Sequence, residues 1–273
     1  MLKQRVITAI LLASVFAGTI LFADHQWVVT LFALVMFAAA YELLLLTLKP
    51  GHWTAVIVAL MFALLYWVFN QSIDVGLSYY QSFSGVLVWV FISGFLLLYR
   101  FSGKWPLSVR FIMLLLSISL LWISGQGLAF IHVHFQQGGW IVLYLLTLVW
   151  VADIGAYFSG RKFGRHKLAP GISPGKTWEG VAGGMVLNVL WVLIVFWLSN
   201  GWGLEIWQFI LVGLATTAIS VVGDLYESIL KREAKVKDSG KLLPGHGGVL
   251  DRIDSLIAAT PVFLTGLYMA GAV

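Results

Sequence analysis

The chain has 273 residues, 60% of them hydrophobic and only 11% charged. Soluble domains run near half apolar and a quarter charged, so a water-soluble globule, a disordered chain and a nucleic-acid-binding module are excluded. The absence of cysteine removes disulfides, thiolate catalysis and Cys-zinc sites, and the net charge of +5 fits the basic excess of cytoplasmic loops in a membrane protein.

A helical span needs about 20 mostly apolar residues. Such runs occur at 6–23, 27–48, 53–69, 85–99, 111–131, 139–158, 180–199, 206–224 and 249–271. They are continuously apolar rather than alternating, which predicts helices and not an outer-membrane barrel. The first run follows Lys3 and Arg5 in the manner of a signal peptide, but the very short loop to the second favours an uncleaved helix. The expected fold is an all-α polytopic membrane protein of about nine transmembrane helices, with a single membrane domain over 1–273. Within it, 1–138 is a mainly apolar scaffold. Residues 139–273 hold the catalytic helices and two cytoplasmic connectors, 159–179 and 228–254.

Alternating the spans from a cytoplasmic N-terminus puts all 17 Lys and Arg residues on the inner side, as the positive-inside rule requires. The C-terminus is then outside. A wrong span count would scatter these charges.

Spans one to five carry few polar groups beyond Glu42, near the inner end of the second. Glu42 reads either as a functional carboxylate or, more simply, as a helix-end acid paired with a neighbouring base. His132 and His134 lie in an outer polar loop and are read as structural. Asp153 lies inside span six, where a carboxylate is expensive and is a functional candidate by default.

The first connector runs through His166-Lys-Leu-Ala-Pro170 and Ser173-Pro-Gly-Lys-Thr-Trp-Glu-Gly180. Gly175-Lys176-Thr177 invites a phosphate-loop reading, but the first glycine of that motif would fall at Pro170 and no strand is expected before it. Ser173, Lys176 and Thr177 can bind phosphate without that fold.

In the second connector, Asp224, Glu227, Ser228 and Lys231 are spaced i, i+3, i+4, i+7, one face of a helix leaving the membrane. Asp251, Asp254 and Ser255 repeat i, i+3, i+4 on the helix that re-enters it. Carboxylates on two helix ends suit a hard divalent cation, and magnesium favours one or two protein carboxylates plus substrate phosphates and water. Between them lies Leu243-Pro-Gly-His-Gly-Gly-Val249. Its glycines allow positive φ and close backbone approach, and successive N–H groups there can form an anion-binding nest. Lys235 and Lys241 read as solvated loop lysines.

Ser228-Ile-Leu-Lys-Arg232, Lys237-Asp-Ser-Gly240 and Leu243-Pro-Gly-His-Gly-Gly-Val-Leu-Asp-Arg-Ile-Asp254 together resemble the signature of the phosphatidate cytidylyltransferase (CDP-diacylglycerol synthase) family, closest to its proteobacterial members. The two motifs of the first connector resemble it too, so the likeness is strong over roughly 150–261. It implies the reaction of CTP with phosphatidate to give CDP-diacylglycerol and pyrophosphate, dependent on Mg²⁺, with a second, monovalent cation as a further candidate. It places Asp224 and Asp251 as primary metal ligands, with Asp254, Glu227 and Asp153 as further candidates. Lys176, Lys231, Arg232, Lys237 and Arg252 would neutralise phosphates. His246 with Gly247 and Gly248 would hold the triphosphate or pyrophosphate, and Ser228 would assist in binding. Asp224, Asp251, Lys231 and Lys237 are the expected catalytic set. A lipid phosphate oxygen can itself attack the α-phosphorus, so no protein nucleophile is needed. The implied location is the bacterial inner membrane, multi-pass, with the site on the cytoplasmic side. The expected partners are CTP, phosphatidate and membrane lipids, with no nucleic acid and a homodimer left open.

The alternative outside enzymology is a membrane transporter with a cytoplasmic ion-binding site. It would want polar groups near the bilayer midplane in several spans, and spans one to five are nearly clean. A CDP-alcohol phosphatidyltransferase would need an Asp-rich run of the form D-G-x-x-A-R, which is missing.

Overall fold

The computed structural model describes residues 13–70, 74–99, 105–243, 245 and 247–272. Among them the chain is overwhelmingly helical: α1 (Ala13–Phe22), α2 (His25–Thr47), α3 (His52–Phe69), α4 (Val75–Leu98), α5 (Leu107–His134), α6 (Gly138–Phe163), α7 (Trp178–Ser199), α8 (Ile206–Ala234) and α9 (Leu250–Met269). Each expected apolar run has its helix, in order. The seven helices α2 to α8 are long and apolar enough to cross a bilayer. The first turn of α9 holds Asp251 and Arg252, with Asp254 just after it. The chain is thus a multi-pass helical membrane protein.

Three differences from expectation stand out. The polar stretch 75–84, read as loop, is the first half of α4. Asp74 starts it by accepting the Leu77 N–H at 2.8 Å, and Ser82 and Ser84 turn their hydroxyls back onto the carbonyls of Tyr79 and Gln81. Serines satisfied in this way are tolerated within a membrane helix. Helix α8 runs ten residues past its apolar run, to Ala234. It stops where Lys235 takes φ 60° and the N–H groups of Lys235 and Val236 bond back to Arg232 and Lys231, a Schellman turn built on lysine instead of glycine. Third, the first connector is not all loop. Lys167–Ala169 (β1) and Ser173–Thr177 (β2) pair antiparallel, with Pro170 and Gly171 between them.

The chain falls into two compact units. The first comprises 1–78, 102–143 and 230–253. Here α2 packs on α3 and α5. Tyr66 donates to the Gly125 carbonyl at 2.9 Å, and a Cβ on Gly125 would press on the Tyr66 ring and Met36. Trp122 gathers the rings of Phe62, Tyr66 and Phe69. His132 and His134 lie in the last turn of α5, not in the expected polar loop; His132 stacks on His25 and bonds the Ile20 carbonyl, and His134 stacks on Phe130.

The second unit comprises 79–101, 144–229 and 254–273. In it α6 and α7 touch backbone to backbone. A Cβ on Gly155 would stand 2.8 Å from the Gly184 Cα, and one on Gly184 would stand 2.7 Å from the Ala152 carbonyl oxygen. Lipid tails are as apolar as leucine, so packing contacts of this kind and interhelical hydrogen bonds carry helix association. Asn188 supplies the latter, donating to the Leu148 carbonyl at 2.9 Å and Thr217 Oγ1 at 3.0 Å. Gly184→Leu should therefore wedge α6 from α7 and abolish recovery of monodisperse protein in size-exclusion chromatography. Gly171→Ala, in open space, should leave it unchanged.

Candidate active site

The second unit contains a cavity of about 490 Å³. Its apolar wall comes from the α6–α7 seam, where Ala152, Ala156, Gly160, Gly180 and Gly184 present almost no side chain. The same small residues that let the helices touch thus leave room beside them. Its polar lining includes Asp153 and Arg161 from α6, Lys176 and Thr177 from β2, Asp224 from α8 and Ser255 from α9.

Each group has a local reason to be there. The hairpin delivers Lys176, whose Nζ meets Asp224 Oδ2 at 2.5 Å. Thr177 is buried and caps α7, its hydroxyl accepting the Gly180 N–H at 3.1 Å. Glu179, in the first turn of α7, ties down the preceding loop by accepting from His166 Nδ1 at 2.6 Å and from the N–H groups of Arg165 and His166. Ser228, one turn beyond Asp224, donates to its Oδ1 at 3.3 Å, as the i, i+4 spacing anticipated. Gly223 lets α8 meet α9, since a Cβ there would crowd the Asp254 carbonyl and Ser255.

The first unit holds the rest of the second connector. Asp251 accepts from Lys231 Nζ at 2.7 Å and from the N–H groups of Ser239 and Gly248, both at 2.9 Å. Gly245 and Gly247 take the expected positive φ. The anion that the Gly-Gly turn serves in this structure is the protein's own: the Gly248 N–H goes to Asp251, and the next two, Val249 and Leu250, go to Glu42. Among the described residues Glu42 is therefore not paired with a base; its partners there are these backbone amides and the Ser239 hydroxyl.

Of the predicted residues, Asp153, Lys176, Thr177 and Asp224 line the cavity, with Ser228 on Asp224. Ser173 opens β2 and is not among the lining residues. Glu227 is buried and also not among them, and Asp254 is half-buried at the start of α9. Lys231 and Asp251 are ion-paired, Arg232, Lys237 and Arg252 are exposed, and His246 lies outside the described residues. Among the described residues no group of three or more His, Asp or Glu side chains is arranged to hold a metal. The two expected ligands, Asp224 and Asp251, are each engaged by a lysine. Arg161 also lines the cavity; its spacing of i+8 from Asp153, with Gly160 at i+7 and Tyr157 at i+4, puts all four on one helical face, a signal present in the sequence.

A model of the cytidylyltransferase family matches residues 3–270. The chain belongs to this family. Phosphatidate cytidylyltransferase of Haemophilus influenzae is 38% identical over 280 residues, covering 96% of this chain and 97% of its own length. The enzyme of that name from Pseudomonas aeruginosa is 38% identical over 278 residues, covering 99% and 98%. One from Brucella suis is 46% identical over 135 residues, about half of each chain. The resemblance carried by the two connectors thus holds over nearly the whole length, including the apolar N-terminal half, and the expected enzyme class, a nucleotidyltransferase, stands with it.

Proposed function

We propose that the protein transfers the cytidylyl group of CTP to phosphatidate, forming CDP-diacylglycerol and pyrophosphate at the cytoplasmic face of a bacterial inner membrane. The observation that carries this reading is the cavity whose lining joins small apolar residues to Arg161, Lys176, Asp153 and Asp224. Its cations suit a lipid phosphate.

A phosphatidate oxygen forms the new bond to the α-phosphorus, and the bond from that phosphorus to the β-phosphate oxygen breaks. The lipid is the nucleophile, so the protein's task is alignment and charge neutralisation. Mg²⁺ needs only one or two protein carboxylates beside substrate phosphates and water, and Asp224 in the one unit and Asp251 in the other are each a candidate to hold it. Bound there, it would supply charge neutralisation on phosphate oxygens. Lys176, now on Asp224, has an ammonium that can pass to a substrate phosphate. Lys231 stands in the same relation to Asp251. Thr177 and Glu179 keep the β2–α7 corner rigid, so that Lys176 stays aimed.

Labelled CTP incubated with phosphatidate vesicles, Mg²⁺ and the detergent-purified protein should yield a labelled CDP-lipid, and chelation should stop it. Lys241→Ala, at an exposed connector position, should match wild type. Uptake of a solute into vesicles with no CDP-lipid formed would sink the reading in favour of transport.

A further inference from the structure

Glu42 is 1% exposed on a helix otherwise made of Leu, Ala, Met and Phe around it. A carboxylate buried in that setting is costly unless its oxygens are satisfied. Here they are: Oε1 accepts the Val249 N–H at 3.1 Å, and Oε2 accepts the Leu250 N–H and the Ser239 hydroxyl, both at 2.9 Å. The amides of Val249 and Leu250 are orphan donors at the start of α9, so Glu42 does from another helix what a capping residue does locally. A Cβ on Gly240 would displace the Glu42 carboxylate, and one on Gly248 would displace it and the Ser239 hydroxyl. Lys49, two residues past the end of α2, reaches the Ala234 carbonyl at 3.5 Å, at the end of α8.

Glu42 and Asp251 share their supports. Ser239 gives its hydroxyl to Glu42 and its N–H to Asp251. Gly248 gives its N–H to Asp251 while its Cα lies against Glu42. A shift of the loop at either residue moves both carboxylates' partners.

We propose that Glu42 is a positioning residue for the transfer reaction, clamping Ser239 and the Gly248–Leu250 turn so that Asp251, and Lys231 through it, are held in place. This rests on the reading that Asp251 serves cytidylyl transfer. The role lies some two hundred residues away in sequence from the motif it serves.

The test uses the full-length protein. In Glu42→Gln one acceptor becomes an amide donor facing donors. Hydrogen exchange at the amides of Ser239, Gly248, Val249 and Leu250 should rise by about tenfold or more while α3 and α5 keep their protection. The kcat for CDP-lipid formation should fall by roughly 10- to 100-fold, as for loss of an outer-shell support, and the Mg²⁺ concentration for half-maximal rate should rise. Glu42→Asp, which keeps the charge on a shorter arm, should recover part of both. Ser239→Ala removes one donor without a buried lesion and should show the same two effects at smaller size, which keeps the test open if Glu42→Gln misfolds. Unchanged exchange at these amides, or wild-type kcat and Mg²⁺ dependence in Glu42→Gln, overturns the proposal. If the wild-type protein makes no CDP-lipid, the functional reading falls, while the exchange result still decides the clamp.

Discussion

Asp224→Asn should lower CDP-lipid formation by at least ~10²-fold and leave thermal stability almost untouched. The two effects separate because of where the pair lies. The side chains of Lys176 and Asp224 are 24% and 30% exposed, and an ion pair in contact with solvent contributes about 0–1 kcal/mol. Losing it costs the fold little. Losing the carboxylate costs the site its anionic oxygen on α8 and leaves Lys176 without its aim. Lys176→Met and the double variant complete the cycle. If Asp224 only steered Lys176, the double variant would be no worse than Lys176→Met. A further loss assigns Asp224 a role of its own, toward the cation the substrates bring. Asp224→Asn with more than half of wild-type turnover and an unchanged Mg²⁺ requirement would remove Asp224 from the site.

How far the sequence reaches is set by how local each cause is. Bilayer thickness dictates the length of an apolar run, so all nine runs reappear as helices in order. The contact of Asp224 with Ser228 was legible because one helical turn sets it. Half of α4 was not, since Ser78 and Ser82 count as polar in a hydropathy profile although both are buried and a serine can satisfy its hydroxyl on its own helix. The hairpin of β1 and β2 left a signal in Pro170-Gly171, a turn dipeptide, which the charged character of the connector obscured. The corner at Thr177 and Glu179 follows from that hairpin. Glu42 left none. Its partners lie some two hundred residues along the chain, and only tertiary structure shows that the second connector's glycines are shaped to a carboxylate from the apolar half of the molecule.

Asp251→Asn should, unlike the change at Asp224, lose both turnover and stability. The Asp251 side chain is 7% exposed and that of Lys231 15%. Removing one charge of a buried pair strands the other, at a cost of about 3–5 kcal/mol. The amide nitrogen of Asn also cannot accept from Lys231, Ser239 or Gly248, the three donors that Asp251 now satisfies. A lowered melting temperature and turnover reduced by at least ~10²-fold are the expected pair of results. Stability loss alone can lower activity, so the deciding variant is Lys231→Met/Asp251→Asn. It removes the stranded cation and should regain much of the melting temperature. If Asp251 acts on the substrates, turnover per folded molecule stays low in that variant. If turnover returns along with stability, the Lys231–Asp251 pair is only a structural tie, and the chemistry must be rebuilt around Lys176 and Asp224 alone.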